Sequence, residues 1–135
     1  LVSPSARYGS PLAYDSGRSR ILLFGGYEAS SPFGGGERND LWEWDGRGWN
    51  QLSLPGNAPG PRSGHAVAYD EARRCLVSFG GIAGSSYLDD TWELGVHWTM
   101  RSPATRPSPR AGHTMAYDAW RNRVILFGGT TSSGA

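Results

Sequence analysis

The fold is decided by the stretch P-R-S-G-H-A-V-A-Y-D-E-A-R-R-C-L-V-S-F-G-G, which occupies residues 61–81. Two further stretches of the same length carry the same pattern. One reads A-R-Y-G-S-P-L-A-Y-D-S-G-R-S-R-I-L-L-F-G-G at residues 6–26, and the other reads P-R-A-G-H-T-M-A-Y-D-A-W-R-N-R-V-I-L-F-G-G at residues 109–129. The three copies align without gaps, so the chain repeats one structural unit.

The distance between the copies indicates the kind of repeat. Tyr14, Tyr69 and Tyr117 occupy matching positions, so 55 and then 48 residues separate successive copies. A period of about 40 to 50 residues with a Gly-Gly pair and a following Trp is typical of a β-propeller blade, whereas helical solenoids have shorter periods. Since propellers close with about 4 to 8 blades, we predict a part of a propeller or a unit that assembles in several copies.

The apolar runs and turn residues predict an all-β chain with two four-stranded antiparallel blades and a two-stranded third. The Asp45-Gly46 pair in blade one and the Asp-containing turns of all three copies separate short strands. Pro11 is awkward within the first strand, because proline cannot donate to the ladder. The predicted strands are residues 8–14, 20–24, 41–44 and 49–52, then 65–69, 74–79, 91–94 and 97–101, and finally 113–117 and 123–127.

The same pattern divides the chain at the Pro-rich linkers. Residues 1–5 are interpreted as the end of a preceding blade, 6–54 as blade one, 55–102 as blade two and 103–135 as the first half of blade three. Residues 26–39 are rich in Gly, Ser and Pro, so they predict a long loop between strands two and three. The corresponding loop of blade two, residues 82–89, is shorter.

Residues that recur in every blade are best explained by packing of sheets on one another. Gly-Gly pairs permit positive φ and the close approach of a neighbour, while the Trp side chains bury large areas between sheets. The Tyr-Asp pair that precedes each turn, with an Arg three residues after the Asp, predicts inter-blade packing and an ion-paired turn. The predicted structural residues of the first two kinds are Gly25, Gly26, Gly80, Gly81, Gly128, Gly129, Trp42, Trp92, Trp49 and Trp98.

An arginine opens the innermost strand of each blade, namely Arg7, Arg62 and Arg110. Asp40 and Asp90 open the third strands, and antiparallel order brings these strand ends to one edge. We therefore predict an ion pair that joins the two strands. Recognition of an anion or partner at the channel mouth is the alternative, because a guanidinium also binds ligand carboxylates.

Two histidines and the single cysteine raise the question of a metal site. His65 and His113 take matching positions in adjacent blades, but Ser10 replaces them in the first copy. Without a third ligand at suitable spacing, hydrogen bonding to a neighbouring blade is the better interpretation. Cys75 lies in an apolar strand pattern and is expected to be a buried thiol. We therefore predict neither a metal nor a cofactor.

Composition argues against two classes of partner. The 13 basic and 12 acidic residues nearly balance and form no basic stripe, so nucleic acid is not the expected partner. All the basic residues are arginine. No apolar run approaches the roughly 20 residues of a membrane span, and no charged-then-apolar signal pattern follows Leu1. The compartment stays open.

The succession P-R-x-G-H, Y-D, F-G-G and D-x-W-E with a following Trp resembles the kelch repeat. It covers nearly the whole chain in three in-phase copies, and Tyr8, Ser10 and Pro11 are the departures. The resemblance implies a propeller of six or seven blades, of which this chain holds a part. It also implies that the loops between strands two and three share one face with the linkers between blades.

That face is the predicted partner-binding surface, because variable loops on a rigid scaffold commonly carry recognition. Aromatic side chains and arginines suit an interface. The alternative is that these side chains pack on their own loop. The candidate residues are Tyr27, Glu28, Phe33, Arg38 and Tyr87.

Three functions remain open at this point. The first is a non-catalytic module that binds a protein or small ligand as part of a larger propeller, since no nucleophile with its base and no phosphate-binding motif is present. The second is a fragment of a sugar-handling enzyme. The resemblance to kelch propellers implies this possibility, because some of them are similar to mutarotases or oxidases. The third is a self-associating fragment whose uncapped blade faces pair with one another.

Overall fold

The computed structural model describes residues 2–29 and 34–132. These residues form ten strands and no helix, and hence no helix long and apolar enough to span a membrane. The sheets are antiparallel, in the orders β1-β2-β3-β4, β5-β6-β7-β8 and β10-β9, so the predicted division into four, four and two strands is confirmed. The strands are β1 (Leu12–Asp15), β2 (Arg20–Glu28), β3 (Gly36–Trp44), β4 (Trp49–Leu52), β5 (Ala66–Asp70), β6 (Cys75–Ala83), β7 (Ser86–Leu94), β8 (Trp98–Arg101), β9 (Thr114–Asp118) and β10 (Arg123–Phe127).

The second strands do not end at their Gly pairs. β2 continues to Glu28 and β6 to Ala83, and β3 and β7 extend to meet them. The pairing register shifts between Phe24 and Gly26, and again at the matching place in blade two. The prediction of loops at 26–39 and 82–89 was therefore wrong over much of their length. Gly-Gly with positive φ forms a bulge that bends the strand without ending the ladder.

The first strand is shorter than predicted, since β1 begins at Leu12. Pro11 lies outside it, as its missing N–H requires. Tyr8 still reaches the sheet through an isolated antiparallel bridge with Tyr27, in which each backbone N–H donates to the other carbonyl at 3.0 and 2.8 Å.

The core lies at the boundary between blades one and two. Phe24 of β2 contacts Trp98 of β8, with ring centroids 5.0 Å apart. Trp42 and Trp92 are buried as predicted, but Trp49 is only partly buried and contacts Trp44 of its own blade. Trp98 is buried because it leans on the preceding blade, and no described residue offers Trp49 such a neighbour. The other members of the core cluster are Leu22, Leu41, Val67, Leu76, Trp92 and Leu94.

Backbone hydrogen bonds tie successive blades together beside the Gly pairs. Gly26 N–H donates to Arg62 O and Gly81 N–H to Arg110 O, both at 2.8 Å. A Cβ on Gly25 would stand 2.9 Å from the Arg62 carbonyl oxygen, which no side chain tolerates. Glycine is thus required by the Arg38 carbonyl of the adjacent strand, also 2.9 Å away, and by the backbone and histidine ring of the next blade.

Candidate partner-binding face

The ends of the β2–β3 and β6–β7 hairpins lie at one edge of the molecule, and we call this edge the hairpin face. In blade one the hairpin end comprises residues 27–29 and 34–37, and in blade two it comprises residues 82–87. The two ends touch, because the backbone N–H of Gly84 donates to Oε1 of Glu37 at 3.3 Å. Blades one and two therefore present one continuous surface here.

Beneath this face, an arginine joins the first and third strands of blade one. Arg7 Nη1 donates to Asp40 Oδ1 at 2.6 Å, Nη2 donates to Oδ2 at 3.0 Å, and Trp42 Nε1 also donates to Oδ2 at 2.7 Å. Burial raises the pKa of Asp40, but the hydrogen bonds from Arg7 and Trp42 outweigh it and hold the pKa below its usual value. The carboxylate stays charged and ties the segment before β1 to the middle of β3, rather than to its start as predicted, since β3 begins at Gly36.

Blade two repeats this arrangement around Asp90. Arg62 Nη1 and Nη2 donate to the two carboxylate oxygens at 2.7 and 2.8 Å, and Nη1 also donates to Gly80 O at 3.1 Å. The Arg62 side chain is only 3% exposed. In blade three Arg110 donates to Gly128 O at 3.0 Å. The predicted pairs therefore form, and their guanidinium groups in blades one and two are committed to the fold.

One ion pair of the hairpin face occurs in blade one alone. Arg38 Nε donates to Glu28 Oε2 at 2.7 Å across the hairpin, and the arginine side chain remains 42% exposed. Blade two has Ala83 and Leu88 at the matching positions. The structure thus brings together Glu28 and Arg38, which the sequence had selected from a supposed loop.

Tyr27 precedes Glu28 on β2, so its side chain lies on the other face of the hairpin, where it forms an aromatic pair of its own. Its ring stacks on Tyr8, with centroids 5.2 Å apart and planes inclined by 30°. The ring of Tyr8 is largely exposed. Sequence reasoning missed Tyr8 as a candidate, although Ser63 and Ala111 at the matching positions of the other copies mark it as peculiar to blade one.

The remaining candidates are less closely grouped. Tyr87 lies on β7 opposite Ile82, at the hairpin end of blade two. Phe33 lies outside the described residues. A linker residue also reaches this edge, since Arg106 Nε donates to Asp89 Oδ2 at 2.8 Å and ties the linker between blades two and three to β7.

The histidines belong to the blade boundaries. His113 Nε2 lies 3.0 Å from Phe79 O, and the rings of His65 and His113 pack edge-on against Phe24 and Phe79. Burial lowers the pKa of both, that of His65 to about 3, so both rings are neutral at pH 7. Within residues 2–29 and 34–132, no three His, Cys, Asp or Glu side chains are grouped so as to hold a metal ion.

Comparison with known proteins supports the architecture. No family model matches the chain. A 91-residue segment is 36% identical to dynein regulatory complex subunit 7 of Chlamydomonas reinhardtii and covers 64% of this chain but 8% of that protein. A 91-residue segment is likewise 33% identical to acyl-CoA-binding domain-containing protein 4 of Arabidopsis thaliana and covers 62% and 13% of the two chains. The chain therefore matches only about a tenth of the length of these relatives.

The structure of YjhT is similar over 98% of this chain and 40% of the YjhT chain, with a TM-score of 0.70 and 21% sequence identity. YjhT is a β-propeller, and its likeness concerns the fold alone at this level of identity. Together with the sheets of four, four and two antiparallel strands, it identifies the chain as consecutive blades of a β-propeller.

Proposed function

We propose that this chain is part of a kelch-type propeller that binds a partner protein through the hairpin face and catalyses no reaction. The observation that carries the proposal is the difference between matching positions of blades one and two. Tyr8, Glu28 and Arg38 stand where blade two has Ser63, Ala83 and Leu88. The kelch assignment rests on the repeated P-R-x-G-H, Y-D, F-G-G and D-x-W-E patterns.

The chemistry of this group suits protein recognition better than folding. In the Glu28–Arg38 pair the arginine is exposed and the glutamate is half-buried, and a pair near the surface adds on the order of 1 kcal/mol to stability. The fold does not demand it, since blade two forms the same hairpin without it. Tyr and Arg side chains are common in the energetic centres of protein interfaces. The rigid ladder beneath holds them in place, which lowers the entropy lost on binding.

The experiment captures proteins from an extract of the source organism on the 135-residue chain and on three variants. Tyr8→Ser and Arg38→Leu install the residues that blade two already accommodates, so both variants are expected to fold. Arg47→Leu alters an exposed arginine in the β3–β4 turn at the opposite edge and serves as the control.

We expect a protein that is retained by the native chain and the control and is lost, by about tenfold or more, with Tyr8→Ser and Arg38→Leu. Capture that is equal on all four proteins would contradict the proposal. A panel of glycans that includes sialic acid, assayed for binding and turnover, tests the alternative of a sugar-handling enzyme. Turnover of a glycan would contradict the proposed function and support the sugar-handling enzyme instead.

A second candidate, self-association, is favoured by the two end faces of the row of blades. Matching phenylalanines are 0% exposed at Phe24, 3% at Phe79 and 81% at Phe127. At the other end Leu12 is exposed, whereas its counterpart Val67 is buried. We infer that further blades cover these faces, from the same polypeptide or a second copy. Concentration-dependent association in sedimentation velocity, reduced by Phe127→Ser, supports the second copy, and a stable monomer at all concentrations contradicts it.

A further inference from the structure

A cavity lies between blades one and two, at the edge opposite to the hairpin face. Its volume is about 400 Å³, which is within the range of about 300 to 1,000 Å³ that small-molecule sites occupy. The turn between β1 and β2 forms one wall and the turn between β7 and β8 another. Leu22 and Leu94 form a buried apolar floor, and Val96 lies at the exposed rim.

Most of the charged groups around this cavity are engaged in ion pairs. Four carboxylates here are each paired with arginines, and four of the five surrounding guanidinium groups take part in these pairs. The pairs are Arg18 with Asp15 and Glu43 at 2.7 and 2.8 Å, Arg20 with Glu43 at 3.4 Å, Arg73 with Asp70 and Glu93 at 2.8 and 2.6 Å, and Arg101 with Glu93 at 2.7 Å.

Arg74 is the fifth guanidinium, and it lines the cavity. Across residues 2–29 and 34–132, no carboxylate pairs with it and no hydrogen bond engages its side chain. The Arg74 guanidinium therefore lines the cavity without a carboxylate in contact with it, although Glu71 lies in the same turn.

The backbone gives a second, independent reason to single out Arg74. Its φ is 52°, and the matching residues Ser19 and Asn122 have φ values of 53° and 52°. Asparagine is among the residues that adopt this left-handed conformation most readily, whereas a long side chain adopts it at a cost. The fold alone therefore favours Asn or Ser at this position, and the arginine requires another explanation.

We propose that this cavity binds a small organic monoanion, namely a carboxylate with an apolar body. The Arg74 guanidinium pairs with the carboxylate, and Leu94 and Val96 contact the apolar body. Tyr69 forms part of the wall and hydrogen-bonds to Asp15. Burial and the neighbouring Asp15 raise the pKa of Tyr69 to about 12, so its phenol stays neutral and does not repel an anion.

Benzoate is the probe, and benzamide is its neutral counterpart of the same shape. Each is titrated into the isotope-labelled 135-residue chain while amide chemical shifts are followed. We expect saturable shifts with benzoate at the amides of Gly17, Gly95 and Val96, and binding of benzamide at least about tenfold weaker, since a hydrogen bond to a charged group is lost.

Variants separate the role of Arg74 from that of general charge. Arg74→Asn installs the residue of the third unit and is expected to weaken benzoate binding by about tenfold or more while the chain stays folded. Arg47→Asn, which removes an arginine that does not line the cavity, leaves the affinity unchanged. At the rim, Val96→Glu weakens benzoate binding and Val96→Gln does not.

Absence of saturable benzoate binding overturns the proposal. So does equal affinity of the native chain and Arg74→Asn, or equal affinity for benzoate and benzamide. Partner capture at the hairpin face is unaffected by these outcomes, because the two sites lie at opposite edges.

Discussion

Single residues recur from blade to blade because each of them contacts residues of the adjacent blade. Tyr117 accepts a hydrogen bond from the Ala72 N–H of the preceding blade at 3.2 Å, and the hydroxyl group of Tyr69 lies beside Asp15 and Gly17. Contacts with the adjacent blade therefore account for the recurrence of these two tyrosines. Arg74 could not be recognised from the sequence, because only the backbone dihedrals and its unpaired side chain set it apart from Arg73.

The Gly pairs allow a direct test of this dependence on the neighbouring blade. Gly80→Ala places a Cβ 2.8 Å from Arg110 O, whereas a Cβ on Gly128 meets nothing within 4 Å; both residues have positive φ. We expect Gly128→Ala to lower the free energy of unfolding by about 1 kcal/mol and Gly80→Ala by about 3 kcal/mol or more. Urea denaturation measures both, and equal losses would contradict the explanation.

The buried His65 predicts that stability depends on pH. Because burial lowers its pKa from 6.5 to about 3, the unfolded chain binds a proton more readily. The contribution of the neutral His65 side chain to the free energy of unfolding is complete above about pH 6.5. This contribution is lost as the pH falls toward 3. Between pH 7 and pH 5 the loss is about 2 kcal/mol.

His65→Gln should remove this part of the pH dependence, whatever its effect on stability at pH 7. His97→Gln, at an exposed turn, should leave the dependence as it is in the native chain. Unfolding free energies at several pH values decide the matter, and parallel profiles for all three proteins would show that His65 does not carry the effect.

At the scale of strands and hairpins, the sequence predicted the number and order of elements but not the length of the hairpins. A turn such as Asp45-Gly46 can be predicted from the adjacent residues alone. The strand that follows it, β4, accordingly begins and ends where predicted. The bulge at Gly25-Gly26 is different, because the glycines that read as an end of the strand are held in place by Arg62 of the next blade. A contact between residues so far apart in the sequence leaves no pattern in the residues around Gly25 and Gly26.

Substitutions at Asp90 measure how strongly the segment before β5 is fixed to β7 by the ion pair with Arg62. Asp90→Asn deprives Arg62, which is almost completely buried, of its counter-charge, so we expect a loss of about 3 kcal/mol. Asp89→Asn next to it removes only the half-exposed pair with Arg106 and should cost less than about 1 kcal/mol. Thermal unfolding of both variants provides the comparison, and similar losses would contradict it.

The whole molecule is a row of sheets in which each contacts its neighbours. The repeat period predicted this arrangement, and the resemblance to the kelch repeat implied which edge holds the ends of the β2–β3 and β6–β7 hairpins. The period could not predict that Tyr8 pairs with Tyr27 and Glu28 with Arg38, since both pairs depend on the length of the hairpin. The repeat period could not locate the cavity either, because the cavity is enclosed by two turns that are far apart in the sequence.

Removal of the third unit tests the contribution of one boundary to the stability of the row. In a chain that ends at residue 102, Phe79 loses the ring of His113, and β5 loses β9 beside it. We expect the free energy of unfolding to fall by about 3 kcal/mol or more, and by less for His113→Ala in the intact chain. Unchanged stability of the shortened chain would show that blades one and two fold independently of the third.

Besides the packed side chains, each boundary between blades is joined by a main-chain hydrogen bond, Gly26 N–H to Arg62 O and Gly81 N–H to Arg110 O. Such bonds are the same whichever copy supplies the donor and whichever supplies the acceptor. A blade inserted or deleted as a whole therefore meets the same carbonyl on either side. Duplication of a gene segment can lengthen this protein by complete blades while the exposed side chains of each copy diverge.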